Sequence, residues 1–198
     1  MSDAATVLFT EEAIHRRVHE LGALITRDYR GKSPVLVSVL KGGVVFLADL
    51  FREIDLLVRV DFMSISAYGA DSEASGGVVR ILKDLDQDIG TEDVIVVEDI
   101  IDTGLTLSYL LDSLRARQPA SLEVCTLLDK SVRRIAPLSI RYRGFDCPDK
   151  FVVGYGLDHA ERFRNLPAIL AVEDQAALAE RPDVLLPFLG GRDRETEG

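Results

Sequence analysis

The sequence predicts an α/β fold with a largely parallel sheet flanked by helices, and three of its features carry this prediction. Short apolar runs rich in β-branched residues alternate along the chain with stretches of helical periodicity, the order expected of parallel strands joined by helices. Val94–Val97 is apolar at every position, as in a strand that is buried on both faces. The 198 residues are enough to bury a core within a single domain.

Each predicted element follows from a local pattern. Met1–Thr10 has neither a basic stretch nor an apolar core, so we interpret it as a short frayed arm and not as a secretion signal. Apolar residues that share one helical face indicate a helix at 11–29. These residues are Ile14, Val18, Leu21 and Ile25. A leucine stripe likewise indicates a helix over Leu105–Arg117. The other expected elements are a helix that ends near residue 53 and strands at 35–40, 58–65, 78–83, 122–128, 139–143 and 151–154.

Charge and composition argue against several classes of protein. The formal net charge of −10 and a pI near 4.8 oppose binding to DNA or RNA, whose affinity for proteins comes mainly from Lys and Arg. No apolar run approaches the roughly 20 residues of a membrane helix, so we expect a cytoplasmic protein with no membrane partner. Cys125 and Cys147 are the only cysteines, which suits two reduced thiols better than a disulfide framework.

The residues with the clearest chemistry directly follow Val94–Val97. Glu98 and Asp99 come next, and in a doubly wound sheet the ends of such strands face the ligand crevice. Their carboxylates suit Mg²⁺ and ribose hydroxyls. Thr103–Thr106 offers backbone N–H groups and two hydroxyls at a helix N-terminus, where the helix dipole favours phosphate. An ordinary helix cap at Asp102 is the simpler alternative, but two adjacent acids beside a buried run are costly unless they have a task.

Val97–Thr106 resembles the binding signature for phosphoribosyl pyrophosphate (PRPP) of the phosphoribosyltransferases, in the version typical of hypoxanthine/guanine enzymes. The resemblance covers residues from about 8 to 170. It extends through residues 40–43, 61–63, 80–86, 127–130 and 148–158. It implies the type I phosphoribosyltransferase fold, which has a small hood and a mobile flap loop besides the sheet.

The same resemblance implies an enzyme of purine salvage. Such an enzyme transfers the 5-phosphoribosyl group from PRPP to N9 of hypoxanthine, and of guanine, and releases IMP or GMP together with pyrophosphate. The expected partners are therefore PRPP and a 6-oxopurine, with Mg²⁺ as the cofactor and no nucleic acid. The family also implies a homodimer or a homotetramer.

Five residues match the purine site of the family. Asp102 matches the acid beside N7 of the base, which is the proposed proton acceptor. Lys130 matches the lysine that donates to the 6-oxo group, a bond that the amino group of adenine cannot accept. Phe151 matches the aromatic residue that stacks on the base, Val152 the neighbour whose backbone contacts the purine edge, and Asp158 the acid near a second magnesium ion. Taken alone, Lys130 would be an exposed lysine and Phe151 a core residue.

The remaining matches concern PRPP. Lys41 and Gly42 match the pyrophosphate loop, in which the family has a non-proline cis peptide between the positions of Leu40 and Lys41. Arg164 matches the arginine that holds pyrophosphate, although in isolation it would be a surface cation. The full set expected at PRPP is Lys41, Gly42, Glu98, Asp99, Asp102, Thr103, Gly104, Leu105, Thr106 and Arg164. The set expected at Mg²⁺ is Glu98, Asp99 and Asp158.

Residues 66–77 are rich in Ser, Gly and Ala and predict a mobile loop. This segment resembles the catalytic flap of the family, and it makes Ser66 and Tyr68 expected catalytic residues beside Asp102. The family usually has serine directly before the tyrosine, whereas this chain has Ala67. One hydrogen bond to pyrophosphate, worth about 0.5–1.5 kcal/mol, is therefore absent or comes from Ser66 or Tyr68.

Two rival functions belong to other classes. An RNA-binding transcriptional regulator built on the phosphoribosyltransferase fold is opposed by the negative charge and by Lys130 with Phe151. A phosphoacceptor signalling domain also contains paired acids and a lysine, but the 102–106 loop has no place in that design. We expect a phosphoribosyltransferase domain that includes the hood at 1–170, followed by a partly disordered C-terminal extension at 171–198.

Overall fold

A computed structural model describes residues 5–68 and 78–189 of the chain. The strands are β1 (Ala5–Phe9), β2 (Val35–Val39), β3 (Arg59–Tyr68), β4 (Val78–Lys83), β5 (Asp93–Ile101), β6 (Ser121–Asp129), β7 (Tyr142–Asp146), β8 (Phe151–Val153) and β9 (Ile169–Val172). The helices are α1 (Glu11–Asp28), α2 (Val44–Arg52), α3 (Leu105–Arg115) and α4 (Gln175–Glu180), with 3₁₀ turns at Ser131–Arg133 and Pro182–Leu189. The chain divides into two compact units, one of residues 17–149 and one of residues 1–16 with 150–198.

The larger unit contains a six-stranded sheet in the order β4-β3-β2-β5-β6-β7. Every neighbouring pair is parallel except β3 and β4, which form an antiparallel edge. β5 lies inside the sheet, and its residues Val94–Val97 are buried. The leucine stripe of α3 packs into the same core cluster, as its spacing predicted. The α/β class with a largely parallel sheet flanked by helices is therefore confirmed.

The smaller unit contains a three-stranded antiparallel sheet in the order β1-β9-β8. Its core consists of buried apolar residues from these strands and from the C-terminal turns, among them Leu178 and Leu185. Asp174 caps α4 by accepting a hydrogen bond from the backbone N–H of Ala177 at 2.9 Å. β9 spans residue 170, where we placed the boundary of the C-terminal extension.

The expected frayed arm at Met1–Thr10 is wrong for the part that the structure describes. Residues 5–9 form β1, which pairs with β9 from the other end of the chain. The ladder satisfies backbone groups that would otherwise need water. Because this partner is so distant in sequence, no local pattern indicates the strand.

Two predicted strand boundaries also differ from the structure. β5 does not end at Val97 but continues through Glu98 and Asp99 to Ile101, because its ladder with β6 continues. β7 begins at Tyr142 and not at residue 139. The apolar residues before it, Leu138 and Ile140, pack against the core without joining a ladder.

The prediction of a mobile loop at 66–77 is wrong for its first three residues. Ser66, Ala67 and Tyr68 belong to β3 and pair with residues of β4, so they form the end of a hairpin. The ladder supplies their backbone hydrogen bonds and outweighs the loop-like composition of this segment. The rest of the predicted flap, residues 69–77, lies outside the described residues.

Both cysteines are free thiols, as the composition predicted. Cys125 on β6 and Cys147 after β7 are buried. Burial raises the pKa of each thiol above its ordinary value, because the charged thiolate is poorly solvated there. Among the described residues, no helix is long and apolar enough to cross a membrane.

We predict that neither thiol of the folded protein reacts with Ellman's reagent at pH 8. The thiolate is the reactive form, and a raised pKa leaves the thiol protonated at this pH. In guanidinium chloride both thiols should react at once, which provides the internal control. Fast reaction in the native protein would contradict the burial, and fewer than two reactive thiols after unfolding would indicate a disulfide.

Candidate active site

The carboxyl end of β5 carries two adjacent acids with different surroundings. Burial raises the pKa of Glu98 well above its usual value, and the neighbouring charge of Asp99 raises it further. Asp99 Oδ1 accepts the backbone N–H of Ile100 at 2.8 Å. A carboxyl with a raised pKa releases its proton when a cation comes close. Glu98 is therefore suited to coordinate a metal ion.

The loop between β2 and α2 approaches Asp99 closely. β2 lies beside β5 in the parallel sheet, so the carboxyl ends of the two strands meet at one edge. A Cβ atom on Gly42 would lie 2.8 Å from Cγ of Asp99 and closer still to Oδ2, which leaves no room for a side chain. Gly43 is equally constrained, because a Cβ atom there would overlap Oγ of Ser38. The peptide between Leu40 and Lys41 is cis, as the resemblance implied.

The segment from Asp102 to Thr106 turns β5 into α3. Gly104 has a φ of 80°, in the left-handed region that glycine adopts without strain. Gly104 itself offers no side-chain cap, and the backbone N–H of Leu105 donates a long hydrogen bond to Thr103 Oγ1 at 3.5 Å. The start of a helix leaves its first amides without intrahelical acceptors, so this turn suits an anion.

A cavity of about 220 Å³ lies directly over this segment. Its lining includes the acid at the strand end, most of the turn and the start of α3. The lining residues are Val39, Ile65, Glu98, Ile100, Ile101, Asp102, Thr103, Gly104, Thr106 and Leu107. Carboxylate acceptors and the polar groups of the turn therefore line one space.

Asp102 lies between this cavity and two cations. Its Oδ2 is 3.7 Å from Nζ of Lys130, and its Oδ1 is 2.9 Å from Nε of Arg133. Lys130 is only 6% exposed, although lysines are seldom buried without a partner. Its backbone N–H donates to the carbonyl of Ile101 at 2.9 Å, which joins the end of β6 to that of β5.

Two further predicted residues form an ion pair in the smaller unit. Arg164 Nη2 lies 2.9 Å from Asp158 Oδ1, and Arg164 Nη1 donates to the carbonyl of Gly156 at 2.8 Å. Asp158 also accepts the backbone N–H of Glu161 at 2.9 Å. This loop holds Tyr155 and several later residues at positive φ, a backbone strain that is typical of functional sites.

Phe151 and Val152 lie on β8 of the same unit. Phe151 is partly exposed. Its ring forms an edge-to-face contact with the ring of His159, with 5.4 Å between the centroids. Val152 is buried and pairs with Ala171 in the ladder of β8 and β9. Phe151 therefore keeps an accessible ring surface, whereas Val152 presents mainly its backbone.

Comparison with known proteins gives one consistent result. The model of the phosphoribosyl transferase domain matches residues 6–160. A hypoxanthine-guanine phosphoribosyltransferase of Bacillus subtilis is 49% identical over 167 residues, 84% of this chain and 92% of that protein. The chain belongs to the hypoxanthine-guanine phosphoribosyltransferases.

Solved structures agree with this membership. The crystal structure of a hypoxanthine-guanine phosphoribosyltransferase from Bacillus anthracis has a TM-score of 0.82 at 48% identity, and it covers 86% of this chain and 99% of that chain. A hypoxanthine phosphoribosyltransferase from Trypanosoma cruzi, a mutant in a ternary substrates complex, has a TM-score of 0.82 at 40% identity, with 88% and 98% covered. The type I fold and the purine-salvage transferase are thereby confirmed, and nothing supports the RNA-binding alternative.

Sequence reasoning missed some residues that shape this phosphoribosyltransferase site. Arg133, beside Asp102, and Arg134 come three and four residues after Lys130, in the short turn that follows β6. Two adjacent arginines are usually exposed surface residues. The one signal for a role in the site was their position in a turn just after a buried strand. Asp61 is a further buried acid to which sequence reasoning assigned no role; it does not line the cavity, and its carboxylate accepts the backbone N–H groups of residues 62, 86 and 87 at 2.8–3.1 Å.

We predict that Gly42→Ala lowers kcat/KM for PRPP by about 100-fold, because displacing the loop or Asp99 by an ångström misplaces the bound substrate. Gly90→Ala is the matched control, since a Cβ atom there would lie 3.3 Å from the carboxylate of Asp88, which can move away. Steady-state kinetics with circular dichroism separates the effect from misfolding. A folded Gly42→Ala protein as active as Gly90→Ala would contradict the tight approach.

Proposed function

We propose that this phosphoribosyltransferase joins the N9 atom of hypoxanthine or guanine to the ribose of PRPP, with Asp102 as the group that accepts the purine proton. The observation that carries the proposal is the position of Asp102. Its carboxylate lines the cavity, at the start of the anion-binding turn and within 3.7 Å of the buried Lys130. A proton acceptor, a purine donor and a phosphate site therefore share one edge of the sheet.

The 5-phosphate of PRPP binds the turn from Thr103 to Thr106 in this proposal. The amides of the helix start and the hydroxyls of the two threonines donate to its oxygens, and phosphate replaces Thr103 Oγ1 as the acceptor of the Leu105 N–H. Gly104 permits the tight backbone and Leu105 contributes an amide from the first helical position. These donors are neutral, so the local dipole offsets the repulsion between phosphate and a chain of net charge −10.

The ribose hydroxyls and Mg²⁺ bind Glu98 and Asp99. Among the described residues no group of three or more potential ligands is clustered. Mg²⁺ takes one or two carboxylates and completes its shell with water and substrate oxygens, so the pair at the end of β5 fits it. Asp158 would serve a second ion. When bound, Mg²⁺ neutralises the charge of the departing pyrophosphate.

Pyrophosphate contacts the loop at Lys41 and Gly42, together with Arg164. Gly42 brings backbone close to the ligand because no side chain intervenes. A guanidinium such as that of Arg164 can bind two phosphate oxygens at once. Arg164 is held by Asp158 in this structure, so pyrophosphate would share or replace that partner.

The base is selected by donors and stacked by Phe151. Lys130 donates to the 6-oxo oxygen, the exposed ring of Phe151 packs on the purine face, and the backbone of Val152 contacts the purine edge with Asp158 nearby. As N9 attacks the anomeric carbon, the base loses its N7 proton. The carboxylate of Asp102 accepts this proton. The bond from the anomeric carbon to pyrophosphate breaks at the same stage.

Ser66 and Tyr68 act as part of a flap that covers the reacting atoms and excludes water. Both lie at the end of β3, and Ile65 before them lines the cavity. The protein works in the cytoplasm as a homodimer or homotetramer. Residues 171–198 form an extension to the catalytic domain at 1–170.

We predict that Asp102→Asn lowers kcat by about 10²- to 10⁴-fold, because asparagine cannot accept the proton. The dissociation constant for PRPP with Mg²⁺ should change far less, as isothermal titration calorimetry would measure. Asp112→Asn on the exposed face of α3 is the control and should keep parent kinetics. Equal losses in turnover and in PRPP affinity would argue against proton transfer at this residue.

We predict that Lys130→Ala reduces the preference for hypoxanthine over adenine by about 10- to 100-fold, because the donor to the 6-oxo group is lost. The two kcat/KM values measured side by side give this ratio. Lys32→Ala, which removes an exposed lysine paired with Asp93, should leave it unchanged. A ratio that stays at the parent value in Lys130→Ala would rule out the assigned role.

A further inference from the structure

Asp129 is a buried carboxylate that the proposed chemistry does not use. It is 1% exposed and lies at the end of β6, directly before Lys130. Oδ1 pairs with Nη2 of Arg134, and Oδ2 lies 3.0 Å from Nε of Arg143. A buried carboxylate held by two guanidinium groups is costly to disturb, because removing one partner leaves charge uncompensated.

Arg134 is joined to the phosphate-binding turn as well as to Asp129. The backbone N–H groups of the next two residues, Ile135 and Ala136, both donate to the carbonyl of Thr103, at 2.9 and 3.1 Å. A Cβ atom on Gly104 would lie 3.1 Å from Cδ of Arg134, so the arginine stem packs against this glycine. The turn is thus held from outside at both of its central residues.

Arg143 provides a natural comparison. It binds the same carboxylate but lies on β7, where its side chain also forms an ion pair with Asp146 at 3.1 Å. Removing either arginine takes one cation from Asp129. Among the described contacts, only Arg134 continues into the segment that holds Thr103 and Gly104.

We propose that Arg134, anchored on Asp129, is a positioning residue that sets the phosphate-binding turn at 102–106. The proposal rests on the proposed function for the identity of the ligand, a purine nucleotide or PRPP. The two backbone bonds hold the Thr103 carbonyl away from the site, so the following amides point at the phosphate. Without the anchor, the 134–136 segment shifts and the turn loses its preset orientation, which weakens phosphate binding.

The test compares Arg134→Met with Arg143→Met. The dissociation constant for IMP is measured by isothermal titration calorimetry, and KM for PRPP and for hypoxanthine by steady-state kinetics. We expect Arg134→Met to weaken IMP binding and raise KM for PRPP by about tenfold, with KM for hypoxanthine within about twofold of the parent. Arg143→Met should keep all three within about twofold, and Arg134→Lys should restore part of the loss.

Equal effects of the two methionine variants on IMP affinity, or parent affinity in Arg134→Met, would overturn the proposal. If Arg134→Met does not fold, Arg134→Lys is compared with Arg143→Lys. The loss of IMP affinity must then be larger in Arg134→Lys. A parent protein that does not form IMP from PRPP and hypoxanthine would refute the proposed function. The comparison of IMP affinities would still decide the role of Arg134, and a parent that does not bind IMP would overturn it too.

Discussion

The close approach of the Gly42 backbone to Asp99 is the constraint on which the rest of the site depends. Parallel pairing of β2 with β5 forces the loop after one strand against the acids of the other. A Cβ atom at position 42 would overlap the carboxylate of Asp99 unless that side chain or the loop moved. This contact defines one side of the proposed site, and the turn at Gly104 defines another, so the order of the strands brings together the groups that we propose bind PRPP.

Electrostatics explains why such a site can exist in an acidic protein. The donors proposed for phosphate at 103–106 are neutral amides and hydroxyls, and the nearby cations Lys130 and Arg133 are already paired with Asp102. Charge is therefore balanced locally and not across the chain. The raised pKa of Glu98 fits the same picture, because a carboxyl that is buried beside Asp99 favours a bound cation.

The parts of the fold with strong local patterns were predictable. The apolar Val94–Val97 run and the leucine stripe of α3 could be recognised from local sequence. A strand buried on both faces is apolar at every position, and a helix buried on one face has apolar residues at helical spacing. β1 was not predictable, since it pairs with β9 at the far end of the described chain. The end of β5 was missed for a related reason: polar residues at a strand end look like a loop until the neighbouring ladder is known.

The candidate site shows the same division. Strand and turn chemistry indicated the acids and the phosphate turn, and family resemblance supplied the purine residues. Neither the local patterns nor the resemblance indicated Arg133 and Arg134. Their partners Asp102 and Asp129 are known only once the ends of β5 and β6 are placed side by side. Positions in the smaller unit, such as Phe151 and Arg164, likewise carry no local signal that separates a ligand contact from core or surface.

Hydrogen–deuterium exchange with and without PRPP and Mg²⁺ shows which backbone segments bind the substrate. We expect slower exchange at the backbone amides of 103–106 and of 41–43 when the ligand is bound, because these amides would donate to phosphate oxygens or lie beneath them. Unchanged exchange in both segments at saturating PRPP, with protection confined to other parts of the chain, would contradict this expectation.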